Sequence, residues 1–201
     1  MQCGLLGRKL GHSYSPQIHA MLGSYGYALF EKEPEALEDF LKNGDFTGLN
    51  VTIPYKKDVI PFLDELSDRP KRLGAVNTIV RKPDGRLIGH NTDYFGFGRM
   101  LDHNRISLKG KKVVMLGNGG AAKAVLQAII DRQAGEILVV ARNVQLAKEK
   151  LHNFVVRTKN LNFVDYQTFN RMPQGDVMIN TTPVGMFPKV DAAAVPEEVM
   201  Q

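Results

Sequence analysis

One segment limits what this chain can fold into more than any other. The apolar run Val113-Val114-Met115-Leu116 passes directly into Gly117-Asn118-Gly119-Gly120-Ala121-Ala122, and that into an alanine-rich stretch with Ala124, Val125, Ala128 and Ile129 at helical spacing. A buried strand, a glycine turn and a helix in immediate succession open a βαβ unit. The turn fits G-x-G-x-x-A in the strand-to-helix setting that this otherwise weak pattern requires. Its glycines permit a tight turn and close approach of backbone to a pyrophosphate. The small Ala122 lets the helix pack near the sheet and point its N-terminus at the phosphates. A dinucleotide is therefore expected against Gly117, Asn118, Gly119, Gly120 and Ala121. A second strand over residues 137–140 completes the unit. A helix over 145–151, a weaker strand at Phe163 and Val164 and a clear strand over 177–180 continue the alternation of a doubly wound parallel sheet.

The residues after the second strand of such a unit select the cofactor, because an acidic side chain there binds the adenosine ribose and repels a 2′-phosphate. Here they are Ala141, Arg142 and Asn143. With no carboxylate present and a guanidinium fork able to pair with phosphate, NADP is expected and NAD is the less favoured cofactor.

The preceding half alternates in its own way. Residues 3–6 read as a short buried strand, and Ser15-Pro16 as a helix start with an apolar stripe of Ile18, Met21 and Leu22 behind it. A strand over 25–30 precedes a helix from Pro34 carrying Leu37, Phe40 and Leu41, which stops near Gly44. A third strand over 48–53 is closed by Pro54, and a helical stretch with Val59, Ile60 and Leu63 follows despite Pro61. Residues 75–80 and 87–90 flank Lys82-Pro83-Asp84-Gly85, whose chemistry suits a hairpin turn. Asn77 and Asn91 each lie seven residues from Asp84, so the hairpin should bring Asn77 beside Asn91-Thr92-Asp93. The rhythm changes between residues 95 and 110. This implies an α/β chain of two domains: an α/β substrate-binding domain over residues 1–98, and a Rossmann-like dinucleotide-binding domain over residues 99–201.

Charge and composition exclude other classes of function. Lys and Arg outnumber Asp and Glu by 26 to 21, but the excess is spread along the chain without a basic run or interleaved aromatics, so no nucleic-acid partner is expected. No apolar run approaches the ~18 residues of a membrane span. The lone Cys3 has no internal disulfide partner, which together with the short apolar N-terminal stretch points to the cytoplasm. The histidines are scattered without metal-ligand spacing, so no metal is expected, and His12 reads as a loop organiser.

The first half also concentrates polar motifs: Gly11-His12-Ser13-Tyr14-Ser15-Pro16, Asn50-Val51-Thr52-Ile53-Pro54-Tyr55-Lys56, Ala75-Val76-Asn77-Thr78 and Asn91-Thr92-Asp93. Hydroxyls, amides, an ammonium and a carboxylate at strand ends suit a small polyhydroxylated acid. In this order, ahead of the glycine turn, they make the whole chain resemble the shikimate dehydrogenase family. The resemblance implies NADPH-dependent reduction of 3-dehydroshikimate to shikimate, within aromatic amino-acid biosynthesis. It implies that Ser13 and Ser15 bind the substrate carboxylate, and that Thr52, Asn77 and Asp93 hydrogen-bond the ring hydroxyls. Lys56 would be the proton donor and base, with Asp93 beside it in the catalytic pair. Turn or cap hydrogen bonds are the other reading of Ser13 and Ser15, and sheet-end bonds that of Thr52 and Asn77. Lys57 follows Lys56 directly, and the motif favours Lys56. Asn180-Thr181-Thr182-Pro183-Val184-Gly185-Met186 resembles the segment that nears the nicotinamide, which adds Thr181 and Met186 to the cofactor contacts. Asn118, Ala141 and Leu146 depart from the family pattern, and the last stands where NADP-using relatives often place a second basic residue.

The resemblance further implies a C-terminal strand and helices beyond Gln201, so a C-terminally truncated chain with an unpaired sheet edge is expected. The partner would be a small-molecule substrate, and the working form a monomer or homodimer. The alternative readings are a quinate/shikimate dehydrogenase preferring NAD, or a truncated ligand-binding chain without turnover.

Overall fold

The computed structural model describes residues 2–11, 13–172, 175–186 and 190–196, with the side chain of Arg69 outside that description. His12, and the last residues after Pro196, therefore lie outside the described residues. The chain divides into two compact units, Met1–Thr92 and Asp93–Gln201.

The first unit is built on a six-stranded mixed sheet. In chain order its elements are β1 (Gln2–Gly7), α1 (Ser15–Leu22), β2 (Gly26–Glu31), α2 (Leu37–Asn43), β3 (Gly48–Val51), β4 (Glu65–Leu66), α3 (Asp68–Leu73), β5 (Thr78–Arg81) and β6 (Leu87–His90). The strands lie in the order β2-β1-β3-β5-β6-β4. β1 is parallel to both β2 and β3, whereas β5 runs antiparallel to β3 and β6. Leu6, Leu41, Leu49, Tyr55, Val59 and Ile79 form the heart of the core beside this sheet. The hairpin has the expected register: Thr78 faces His90 and Arg81 faces Leu87, so the pairing is centred on Asp84.

Several local expectations give way to tertiary context. The third strand ends at Val51, two residues early, and the stretch around Pro61 is a single 3-10 turn, Ile60–Phe62. Pro61 has no N–H, and the bonds on either side of it close three-residue loops, Phe62 N to Val59 O and Leu63 N to Ile60 O. Tyr14, not Ser15, occupies the N-cap position of α1, without a side-chain capping bond, and Ser15 is the first helical residue. Its stripe is not buried: Ile18, Met21 and Leu22 are 52%, 87% and 70% exposed. Periodicity marks an apolar face but not what covers it. α3 contains Pro70, which taken alone disfavours a helix. It sits in the first turn, where backbone N–H groups have no helical partner, and Gly74 closes the helix at φ 59° in the left-handed region.

The second unit contains α4 (Asp93–His103), β7 (Lys112–Leu116), α5 (Gly120–Asp131), β8 (Glu136–Val140), α6 (Val144–Lys150), α7 (His152–Val155), β9 (Leu161–Val164), α8 (Tyr166–Phe169) and β10 (Val177–Asn180). Its four strands are all parallel in the order β10-β7-β8-β9. β7 and β8 are almost wholly buried, as strands covered on both faces must be. α4 forms although Gly96 and Gly98 weaken helix propensity. Gly98 leaves room for the Arg132 guanidinium: a Cβ there would come within 2.9 Å of Arg132 Nη2, which donates to the Gly98 carbonyl. Among the described residues no helix is long and apolar enough to cross a membrane.

Candidate active site

In the first unit, one end of the sheet collects the polar motifs. β1, β3 and β6 end there and β5 begins there, because β5 runs antiparallel to β3 with Asn50 opposite Thr78. The loop after β1 carries Ser13 and leads into Ser15 at the start of α1, and the loop after β3 carries Thr52 and Lys56. Backbone bonds tie these loops together. Thr52 N donates to Leu6 O, Val51 N to Asn77 O, and Val76 N to Lys56 O at 2.7 Å, which sets Lys56 beside Asn77. Lys56 is half-buried while Lys57 is exposed.

Asn77 is buried, as is Asn91. The Asn77 Oδ1 accepts the Thr92 backbone N–H at 2.9 Å, and its amide donates to Thr92 Oγ1 at 3.0 Å. Asn91 donates to the Ala75 carbonyl at 3.1 Å. Both satisfy the hairpin's end, so the sheet-end bonds are real, and they also bring the chain from Asn77 to Thr92. Asp93 follows directly as the first residue of α4. Ser13 Oγ accepts the Ser15 N–H at 3.2 Å, so Ser13 makes a turn bond of the kind anticipated. Tyr27, a residue that no motif singled out, stands nearby on β2 and stacks on His19 of α1 with ring centroids 3.8 Å apart. The Tyr27 phenol donates to Asn50 Oδ1 at 2.8 Å, and burial pushes its pKa up to about 12.

In the second unit the glycine turn leaves β7 where the strand order reverses, between β8 and β10, the place where open parallel sheets bind ligands. Gly117 has φ 98°, and a Cβ on it would meet Thr182 Cγ2 at 2.8 Å and Thr181 Oγ1 at 3.1 Å. Glycine is thus required for both the turn and the approach of the loop after β10. Gly119 and Gly120 differ: a Cβ on either would project into open space. Bare backbone at the start of the twelve-residue α5, with free volume in front of it, fits a pyrophosphate.

A cavity of about 640 Å³ opens here, lined by Gly117, Asn118, Gly119, Ala141, Arg142 and Thr181 among the expected residues. Tyr166, Thr182, Pro183, Val184 and Ala194 complete it. Gly120 and Ala121 are exposed at the start of α5, outside that lining, as are Asn143 and Met186. Asn143 caps α6, its Oδ1 accepting the Leu146 N–H at 2.9 Å, and Met186 is 59% exposed. Thr181 lines the cavity but spends its hydroxyl on the Leu116 carbonyl at 2.6 Å. Tyr166 was not anticipated. It opens α8 after β9, and burial raises its phenol's pKa while the positive charge of Arg142 pulls it down. Its only sequence signal is its place after a weak strand.

A parallel sheet with a glycine turn and cavity at its switch point, preceded in the chain by an α/β unit with polar groups gathered at its strand ends, defines a two-unit dinucleotide-dependent oxidoreductase. Comparison with known proteins narrows the class. Residues 5–79 match the family model described as shikimate dehydrogenase substrate binding domain, and residues 100–186 match that of shikimate / quinate 5-dehydrogenase. The chain belongs to the shikimate dehydrogenase family. A shikimate dehydrogenase (NADP(+)) of Clostridium beijerinckii is 42% identical over 98% of this chain and 73% of its own length. The crystal structure of shikimate dehydrogenase 1 from Peptoclostridium difficile superposes with a TM-score of 0.88 at 36% identity, covering 100% of this chain and 74% of that one. A quinate dehydrogenase from Corynebacterium glutamicum in complex with NAD gives 0.82 at 30% identity, covering 99% of this chain and 76% of that one. The chain thus spans about three quarters of the length of these relatives.

Proposed function

We propose that this chain catalyses the reversible reduction of 3-dehydroshikimate to shikimate with NADPH. Its relatives named for that activity and cofactor are about 40% identical over nearly its whole length. The observation that carries the reading is the junction at the end of the first sheet, where the Val76 N–H to Lys56 O bond sets a half-buried lysine beside a buried asparagine.

When bound, NADPH supplies the hydride. As the carbonyl carbon accepts it, negative charge grows on the carbonyl oxygen, and the Lys56 ammonium stabilises that charge and delivers the proton. In the oxidation direction the neutral Lys56 amine removes the hydroxyl proton. Asp93 accepts a ring-hydroxyl hydrogen bond and balances the lysine's charge. Thr52 and Asn77 hold the remaining ring hydroxyls, and Ser13 and Ser15 the carboxylate. On the cofactor side, Gly117, Asn118, Gly119, Gly120 and Ala121 present backbone to the pyrophosphate. Ala141, Arg142 and Asn143 flank the adenosine, with Arg142 on the 2′-phosphate, while Thr181 and Met186 belong to the nicotinamide end. In this reading residues 1–98 hold substrate and residues 99–201 hold NADP. The protein acts on a small molecule in the cytoplasm, as a monomer or homodimer and without nucleic acid.

The test is formation of reduced nicotinamide by the purified chain given shikimate or quinate, with NADP and NAD in parallel. Turnover favouring shikimate and NADP, and lost in Lys56→Ala, is expected; full turnover in Lys56→Ala refutes the proton-transfer assignment. The second reading, a quinate-active enzyme using NAD, draws on the likeness to the quinate dehydrogenase, and the ratio of rates on the two acids separates them.

A further inference from the structure

Tyr166 lines the cavity beside the glycine turn but has no part in the chemistry assigned so far. It shares that lining with Arg142, and the sheet explains why the two stand together. Val140 and Val164 are partners at the ends of β8 and β9, and Ala141 N donates to Val164 O at 3.0 Å. Two residues on from each partner stand Arg142 and Tyr166. Their backbones therefore leave neighbouring parallel strands about 4.8 Å apart. Capped helix starts fix both positions: Asn143 caps α6 and Asp165 caps α8, through bonds of 2.9 and 2.7 Å. The half-buried Tyr166 side chain also packs against the core cluster that contains Val140 and Phe169. Neither its O–H nor the Arg142 guanidinium has a hydrogen-bond or ion-pair partner among the described residues.

We propose that Tyr166 is a specificity-determining residue for the cofactor, its O–H donating to the adenosine 2′-phosphate beside the Arg142 guanidinium. The proposal rests on the reading that this cavity holds NADP with that phosphate at Arg142. A phosphate monoester carries about −1.5 to −2 charge at neutral pH and presents three strong acceptor oxygens. A guanidinium fork engages two of those oxygens and offsets one charge. The third is left for another donor, and a phenol O–H supplies one. NAD has only a ribose hydroxyl at that place, a neutral and weaker acceptor, so the bond favours NADP. Adenine also offers acceptors, but they are common to both cofactors, and the place of Tyr166 level with Arg142 favours the phosphate. Asp165, the adjacent carboxylate, does not oppose it. It stands outside the cavity lining, and its Oδ1 accepts the Thr168 N–H.

Calorimetric titration of the full chain with adenosine 2′,5′-bisphosphate and adenosine 5′-monophosphate, which differ only in the 2′-phosphate, tests this without requiring turnover. Tyr166→Phe keeps the ring and its packing. It should lower affinity for the bisphosphate roughly ten-fold, the scale of one hydrogen bond to a charged group, and leave the monophosphate within about two-fold. The ratio of NADPH to NADH affinities, read from nicotinamide fluorescence, should fall by the same factor. An unchanged bisphosphate affinity overturns the proposal. So does an equal loss for both nucleotides, which puts the phenol on the adenine or the ribose. A parent chain that binds the bisphosphate no better than the monophosphate refutes the NADP reading itself, and this proposal falls with it. A preference that survives Arg142→Ala but not Tyr166→Phe removes Arg142 from the phosphate and leaves the role of the phenol standing.

Discussion

Gly117 and Gly119 belong to one motif and are both glycine, yet the structure gives them different reasons, and alanine at each should separate those reasons. At Gly117 the backbone sits at φ 98°, outside the conformations an L-residue adopts comfortably, and a Cβ would press on Thr182 Cγ2 at 2.8 Å with Thr182 N at 3.4 Å behind it. The conformational term is about 1–2 kcal/mol, and forcing a methyl into a packed contact adds roughly 1–3 kcal/mol. Gly117→Ala should therefore cost about 3 kcal/mol, or a fall in Tm of roughly 6–12 °C for a chain of this size. At Gly119 φ is −78° and ψ −163°, ordinary extended backbone, with nothing within 4 Å of the added methyl. Gly119→Ala should leave stability unchanged or raise it by about 0.4–1 kcal/mol, because alanine restricts the unfolded chain. Its Cβ would instead occupy the space through which a pyrophosphate reaches the start of α5, so NADP affinity should fall at least ten-fold. Urea denaturation and fluorescence titration with NADPH measure the two quantities. Comparable destabilisation by both substitutions, or undiminished NADPH binding in Gly119→Ala, would refute the division of labour.

Arg142→Ala should lower affinity for NADP by about ten-fold or more, the value of a charge-assisted phosphate bond, and leave NAD unaffected; an intact ratio of the two removes Arg142 from the 2′-phosphate. Arg81 donates to the Leu41, Gly44 and Phe46 carbonyls at 2.8, 3.3 and 3.1 Å, and lies over the Phe46 ring at 4.3 Å. It closes the C-terminal end of α2, and Arg81→Ala should destabilise the first unit by about 2–3 kcal/mol in denaturant titration, with lysine a poor substitute because it lacks the fork. Asp165 caps α8, and the bond from the Thr168 N–H at 2.7 Å holds its carboxyl below the usual carboxylate range. A depressed native pKa means that this contribution is present above the unfolded value near ~3.9 and is lost as pH falls through the native one. Asp165→Asn should therefore flatten the acid side of the stability profile without removing the cap.

How much of this was legible in the sequence depends on whether the deciding physics is local. The hairpin was readable because Lys82-Pro83-Asp84-Gly85 fixes the turn and counting outward fixes every partner, so Asn77 could be placed beside Asn91 before any strand was seen. The βαβ unit from β7 to β8 was readable for the same reason, since strand, turn and helix carry separate signals that agree. α3 and α4 were not. Pro70 and Gly98 read locally as helix breakers, and only helix position in one case and the packing of the Arg132 guanidinium in the other make them compatible with a helix.

The site divides along the same line, with one more consideration. In the proposed reading Lys56 and Asn77 stand in motifs because each meets the substrate at a fixed backbone position, and Gly117 stands in one because of its turn, so chemistry and local structure constrain the same residue. Tyr27 and Tyr166 answer to neither constraint. Tyr27 reaches Asn50 across an intervening strand, and Tyr166 enters the cavity because β9 lies at the far side of β8. Their positions follow from strand order, which no window of sequence contains. Supporting residues of this kind are set by topology and selected by what they touch. They are where relatives sharing every motif can still differ in affinity, and where substitutions should move KM while leaving the chemistry of Lys56 in place.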